Sequence, residues 1–154
     1  MLRLYTGMAR RAGNRLTREA LIEGGRELRR QGGGGVLAEM LLEILSGEDA
    51  VVDSIRTPAE VEALRERGDF FLIEVRADQG ARWERMNQRG RSGDPIVMEV
   101  FLRQEEAEAS SKDESGQALD ATAEMADITV ENDGTREELE RMLEEVWSNL
   151  SRAQ

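Results

Sequence analysis

The chain has 154 residues, 39% hydrophobic and 34% charged, which suits one domain with a modest core under a polar surface. Its net charge of −11 argues against a broad basic face for nucleic acid. The absence of cysteine and histidine removes disulfides and cysteine metal sites and leaves carboxylates or lysine as general bases. No apolar run approaches the roughly 18 residues of a membrane span, and residues 1–11 lack a signal peptide's apolar stretch, so the expectation is a cytoplasmic protein with no membrane partner.

Residues 1–11 are short and basic; Arg3, Leu4, Met8, Arg10 and Arg11 suit one or two helical turns, broken at Gly13-Asn14. Thr17 is the expected N-cap of a helix over residues 18–30, with Glu19 near its positive end. Leu21, Ile22 and Leu28 give that helix a partial apolar stripe. Gly24 and Gly25 weaken it by roughly 1 kcal/mol each relative to alanine, and are read as permitting a close helix contact. The glycines at 32–35 form a turn before a strongly amphipathic helix over 36–45, whose apolar residues are Val36, Leu37, Met40, Leu41, Ile44 and Leu45. Glycines before a helix can also cradle phosphate, but a phosphate loop continues with lysine and serine or threonine. Val36 and Leu37 stand there instead, so an interhelical turn is the better reading.

Residues 50–95 carry the clearest rhythm. An apolar run over 50–53 ends on Asp53, and a second over 70–76 ends at Arg76. Between them Thr57-Pro58-Ala59-Glu60 is a capping box with proline at the first helical position, opening a helix over 58–67 with Val61 and Leu64 inward. Two short strands alternating with helices predict a βαβ unit and a parallel sheet, whose polar carboxyl edge is where open α/β folds bind ligands. The run Phe70, Phe71, Leu72, Ile73 and Val75 suits a strand covered on both faces.

A helix over 79–88 and a polar loop over 89–95 follow, then a helix over 96–109 with Val97, Val100 and Phe101 apolar. The acidic, serine-rich residues 110–117 are expected to be mobile. A helix over 118–125, a strand over 127–131 and a turn at Asn132-Asp133-Gly134 come next. Thr135-Arg136-Glu137-Glu138 is a second capping box, opening a helix over 135–150 with Leu139, Met142, Leu143, Val146, Trp147 and Leu150 on one face.

Asp53 at a strand end suits Mg²⁺ held through water or a substrate proton; equally it suits a local aspartate tied to nearby N–H groups or to Arg56. Arg82, Arg85 and Arg89 share a helical face, with Arg91 just beyond and with Trp83 and Met86 turned toward a core. Clustered guanidinium groups fork phosphate oxygens, although such a face also pairs with nearby carboxylates. Asn132-Asp133-Gly134 can contact a base, but a strand-to-helix turn explains it without a ligand.

Together these pieces resemble P-loop kinases of the nucleoside-monophosphate and dephospho-CoA kinase type. The resemblance rests on the order and spacing of Val51-Val52-Asp53-Ser54-Ile55-Arg56 with Pro58 and Glu60, of residues 70–77 with Arg82-Trp83-Glu84-Arg85, of Arg89-Gly90-Arg91-Ser92-Gly93-Asp94-Pro95, and of Ala126-Asp127 with Asn132-Asp133-Gly134-Thr135. It implies an α/β fold, a P-loop NTPase-like three-layer parallel sheet with flanking helices, N-terminally truncated because the first strand and phosphate loop would precede Met1. It implies one kinase-like domain, with substrate-side helices over about residues 1–47, a lid over about 79–109 and a C-terminal helix over 135–150. ATP and Mg²⁺ would be the cofactors and a nucleotide-like small molecule the substrate. Asp53, Arg85 and Arg89 would be catalytic, Asp53 also bordering Mg²⁺; Arg56 and Arg91 would bind substrate, and Asn132 and Gly134 the nucleotide. Ala107 stands where the family often has an exit-helix arginine. The function implied is an ATP-dependent small-molecule kinase that is incomplete as it stands. The alternative is a non-catalytic descendant that binds nucleotide or protein, with self-association through exposed strand edges. Without a central strand, residues 50–53 and 70–76 would flank an empty slot.

Overall fold

The computed structural model describes residues 18–45, 49–91, 93–109 and 118–153. The expected turns over 1–11, the Gly13-Asn14 break, the Thr17 cap and the mobile tract over 110–117 lie outside the described residues. The described elements run α1 (Arg18–Gly32), α2 (Val36–Leu42), α3 (Pro58–Arg65), β1 (Ile73–Arg76), α4 (Gln79–Arg89), α5 (Met98–Ala109), α6 (Leu119–Ala123), β2 (Ile128–Glu131) and α7 (Arg136–Ala153). The fold is mixed α/β with a small parallel sheet.

α2 and α3 pack around Ala38, Ala63 and Leu64, with Leu42, Val52, Ile55 and Phe70 against them, and α1 lies beside α2. The glycine run lets α2 approach α3 closely. Gly33 has φ +90°, which reverses the chain at no steric cost. A Cβ on Gly34 would lie 3.0 Å from the Ala59 Cβ, and one on Gly35 would lie 3.0 Å from the Ala59 carbonyl oxygen. Thr57 Oγ1 donates to the Gly34 carbonyl at 3.2 Å, so the run is an interhelical turn seated on the α3 cap.

The capping box forms with a variation. Thr57 Oγ1 accepts from Glu60 N–H at 3.2 Å, but Glu60 Oε2 reaches one residue further back, to Arg56 N–H at 2.8 Å. The other oxygen, Oε1, accepts from Arg29 Nη2 at 2.6 Å and Nε at 3.2 Å. Both side chains are buried, so an ion pair fastens α1 to the start of α3. Gly25, one turn before Arg29, lies against it: a Cβ there would meet Arg29 Nη1 at 3.4 Å, an ordinary contact.

β1 and β2 pair in parallel with Ile73 opposite Ile128 and Arg76 opposite Glu131. Asp127 fixes the entry. Its N–H donates to the Leu72 carbonyl at 2.9 Å, its Oδ2 accepts from Leu72 N–H at 2.8 Å, and its Oδ1 accepts from Arg65 of α3 at 3.1 Å.

The expected strand over 50–53 does not form. Those residues are irregular, and Val51 is 96% exposed. Apolar β-branched residues favour a strand only when a neighbour completes the ladder; here Val52 and Ile55 instead anchor the segment to the helical core. Because no strand forms at 50–53, no two strands flank the expected slot; β1 pairs with β2 on one edge, and among the described residues its other edge has no strand partner. The run over 70–76 is a strand only from Ile73 onward, and Phe71 and Val75 stay 41% and 49% exposed, so it is not covered on both faces.

α4 and α5 form a second helical pair. The ring centroids of Trp83 and Phe101 lie 5.4 Å apart, and Met86 is buried as its spacing predicts. Gly90 ends α4 in the left-handed conformation at φ 55°. The second capping box forms in full: Thr135 Oγ1 accepts from Glu138 N–H, and Glu138 Oε2 accepts from Thr135 N–H at 2.7 Å. That bond to the backbone holds the Glu138 carboxyl below its ordinary pKa. α7 follows, with Trp147 59% exposed on its apolar face. No helix among the described residues is long and apolar enough to cross a membrane.

Candidate functional site

Parallel strands end on one edge, and the loops that leave β1 and β2 there are tied together. Asn132 N–H donates to the Arg76 carbonyl at 2.7 Å, continuing the ladder past β2. Asp133 Oδ1 accepts from Asp78 N–H at 2.6 Å. Arg85, from the middle of α4, donates to the Asn132 carbonyl at 2.6 Å and the Gly134 carbonyl at 3.0 Å. A single guanidinium thus fixes the β2–α7 turn beneath α4.

Arg82, one turn earlier, reaches the other way. Its Nε and Nη2 each donate to Glu105 of α5 at 2.7 Å, and its Nη1 donates to the Ala77 carbonyl. Gln79 also donates to Glu105, at 3.2 Å. The bonds from Arg82, reinforced by Gln79, hold the Glu105 carboxyl below its ordinary pKa, and Glu105 raises that of Arg82.

Between these elements lies a cleft of about 1010 Å³, bordered by the end of β1, the loop to α4, α5 and α6. Nine carboxylates and two arginines line it, so its potential is negative and a bare polyanion is disfavoured. Arg76 is engaged by Glu74 at 2.8 Å, which raises the arginine's pKa. Among the described residues no group of three or more Asp or Glu side chains is arranged to hold a metal directly.

The residues singled out in the sequence divide into separate places. Arg85, Asn132 and Gly134 meet at the strand ends, joined through backbone carbonyls. Arg89 makes a two-pronged pair with Asp94 at 3.0 and 3.2 Å, and Asp94 also accepts from Arg91 N–H, closing the loop after α4. The Arg91 side chain is exposed. Arg56 lies 3.6 Å from Glu108 of α5. Asp53 is exposed in the irregular segment, just before Ser54 at φ 63°, and does not sit at a strand end. The single arginine face thus separates into three, Arg82 on Glu105, Arg85 on the turn and Arg89 on Asp94. Glu105 and the Asp78–Asp133 tie escaped sequence reading; the only cue was Asp133 in a turn-forming triplet.

No protein-family model matches the chain. Similar proteins are nonetheless found in archaea. A UPF0200 protein of Pyrobaculum aerophilum is 46% identical over 68 residues, 44% of this chain and 39% of the relative. One from Hyperthermus butylicus is 31% identical over 146 residues, 93% of this chain and 75% of the relative. A UPF0200/UPF0201 protein of Archaeoglobus fulgidus is 33% identical over 151 residues, 94% of this chain but 45% of the relative. The matched stretch therefore spans less than half of two of these three proteins. The relatives carry a UPF0200 name and none names a kinase or a P-loop protein, which corrects the kinase-family resemblance drawn from motif order. Short strand ends, arginine-bearing helices and capping boxes recur across α/β folds, and their order alone did not identify the family. By its match along nearly its whole length to the Hyperthermus protein, this chain belongs to the UPF0200 family.

Proposed function

We propose that the chain binds a nucleotide-like small molecule, ATP with Mg²⁺ foremost, in the cleft at the carboxyl ends of β1 and β2, and that it serves a small-molecule phosphotransfer function. The observation that carries this reading is the cleft's position: it opens at the carboxyl edge of a parallel pair, where open α/β sheets take their ligands. The reading brings with it a larger three-layer parallel sheet in which β1 and β2 are neighbours.

The acidic lining decides the form of the ligand. Mg²⁺ keeps several waters and is held through one or two carboxylates plus substrate phosphates, so it needs no dedicated cage. Asp78, Glu131 and Asp133 at the strand ends are the side chains that would hold it through water. When bound, the ion neutralises phosphate charge. Arg85 positions the turn bearing Asp133, and Arg82 with Glu105 fixes the cleft wall.

Isothermal titration of the 154-residue chain tests the reading. ATP with Mg²⁺ binds and ATP with EDTA does not. Equal affinity with and without the metal, or no heat at millimolar ligand in either case, removes it. The alternative is a protein-binding role that draws on the outer edge of β1, which has no strand partner among the described residues. It gains if nucleotide leaves no trace and the chain self-associates with rising concentration.

A further inference from the structure

The nucleotide reading draws on the strand-end part of the cleft and leaves the wall built by α5 and α6 without a role of its own. The cleft holds about 1010 Å³, the top of the roughly 300–1,000 Å³ that one small-molecule ligand fills, so there is room for a second.

α5 and α6 lie side by side. α6 presents an apolar row beside an acidic one: Leu119 and Ala123 are one turn apart, and so are Asp120 and Glu124. α5 adds Leu102 and, one turn on, Glu106. All six line the cleft, the leucines half-buried and the three carboxylates exposed. Like charges one turn apart, such as Asp120 and Glu124, oppose helix formation when nothing positive lies near them. Two other carboxylates of the lining are matched within the fold, Glu105 by Arg82 and Glu74 by Arg76. Among the described residues no arginine forms an ion pair with Glu106, Asp120 or Glu124.

We infer that the α5–α6 wall binds a second small molecule, a cation with an apolar carbon body. The chemical class is an aliphatic amine, its ammonium groups on Glu106, Asp120 and Glu124 and its carbon chain on Leu102, Leu119 and Ala123. An anion is repelled there. In the phosphotransfer reading this is the place of the second substrate; that role rests on that reading, whereas the binding does not. The amine's charge also offsets the excess of carboxylates over arginines in the lining, so amine and nucleotide should each strengthen the other's binding.

Titration with octamethylenediamine, without nucleotide and followed by amide shifts, tests the site. Residues 102–109 and 119–124 should shift along one saturating curve. A Glu106→Gln/Asp120→Asn/Glu124→Gln variant should bind at least tenfold more weakly. A Glu137→Gln/Glu140→Gln/Glu144→Gln variant, which loses the same charge from α7, should bind within twofold of the unaltered chain. Octamethylene glycol, the uncharged analogue of the same length, should bind at least tenfold more weakly than the diamine. Equal losses in the two variants overturn the proposal, because they mark a diffuse ion atmosphere. Equal affinity for the glycol overturns it as well, and so does the lack of saturation at millimolar diamine. Saturable diamine binding by a chain that ignores Mg²⁺–ATP supports the site and removes only its place in phosphotransfer.

Discussion

Glu60 carries three bonds, from Arg29 Nη2, Arg29 Nε and Arg56 N–H, in a place water does not reach. Removing one partner of such a pair strands the other, at a cost of about 3–5 kcal/mol. Glu60→Ala should therefore lower Tm by on the order of 10 °C, at about 2–4 °C per kcal/mol for a domain this long. An Arg29→Met/Glu60→Leu double variant should be more stable than either single one, because apolar replacements leave no orphan charge. Urea unfolding of the set checks this, and a double variant worse than both singles would refute it. The sequence revealed half of this contact. Thr57 and Glu60 announced a cap, but Arg29 lies 31 residues away on another helix. Arg85 poses the same problem. Its spacing with Arg82 and Arg89 suggested a phosphate-binding face, whereas its donors go to two carbonyls of a turn. Arg85→Ala should lose about 1–3 kcal/mol of stability, the scale of a charge-assisted backbone contact. Unchanged unfolding would contradict the structural role.

At the scale of elements, capping and helix faces were legible because their signals are local. Thr57 and Thr135 cap as predicted, and Trp83 and Met86 turn inward. Strand existence was less legible because it depends on a partner. Residues 50–53 have strand composition but no ladder, and Val51 points into solvent. The α4–α5 pair gives a pH prediction. Arg82 and Gln79 hold the Glu105 carboxyl below its ordinary pKa of about 4.3. A depressed carboxyl stabilises the fold above its unfolded-state pKa, and that contribution fades as pH falls through the folded-state value. The contact between Trp83 and Phe101 should thus loosen only below about pH 4.3. Trp83 fluorescence in a Trp147→Phe background follows it. Arg82→Gln should move the change to higher pH; the same midpoint in both proteins would separate Glu105 from the packing. The glycine turn gives a second expectation. Gly35→Ala places a methyl 3.0 Å from a backbone oxygen of α3 and should cost about 1–3 kcal/mol by displacing α2.

For the whole molecule, composition set the class of surface and little else. A net charge of −11 made a nucleic-acid groove improbable, and the cleft follows the same balance, with carboxylates outnumbering arginines. The family was not legible, because motif order was shared with folds of another name, and the relatives had to supply it. Lys112, the one lysine, lies outside the described residues, in the acidic tract. With no lysine among the described residues, the chain alone should turn over ATP and candidate acceptors far below the roughly 1–100 s⁻¹ typical of kinases. A rate within that range would overturn this expectation.

The central claim is that the carboxyl edge of the β1–β2 pair is the ligand site, and amide shift mapping during titration with Mg²⁺–ATP tests it most directly. The account predicts that residues 76–78, 132–134 and Glu105 shift together along one saturating curve, and that EDTA reverses them. Shifts confined to α1, α2 and α3, or none at millimolar Mg²⁺–ATP, would contradict it.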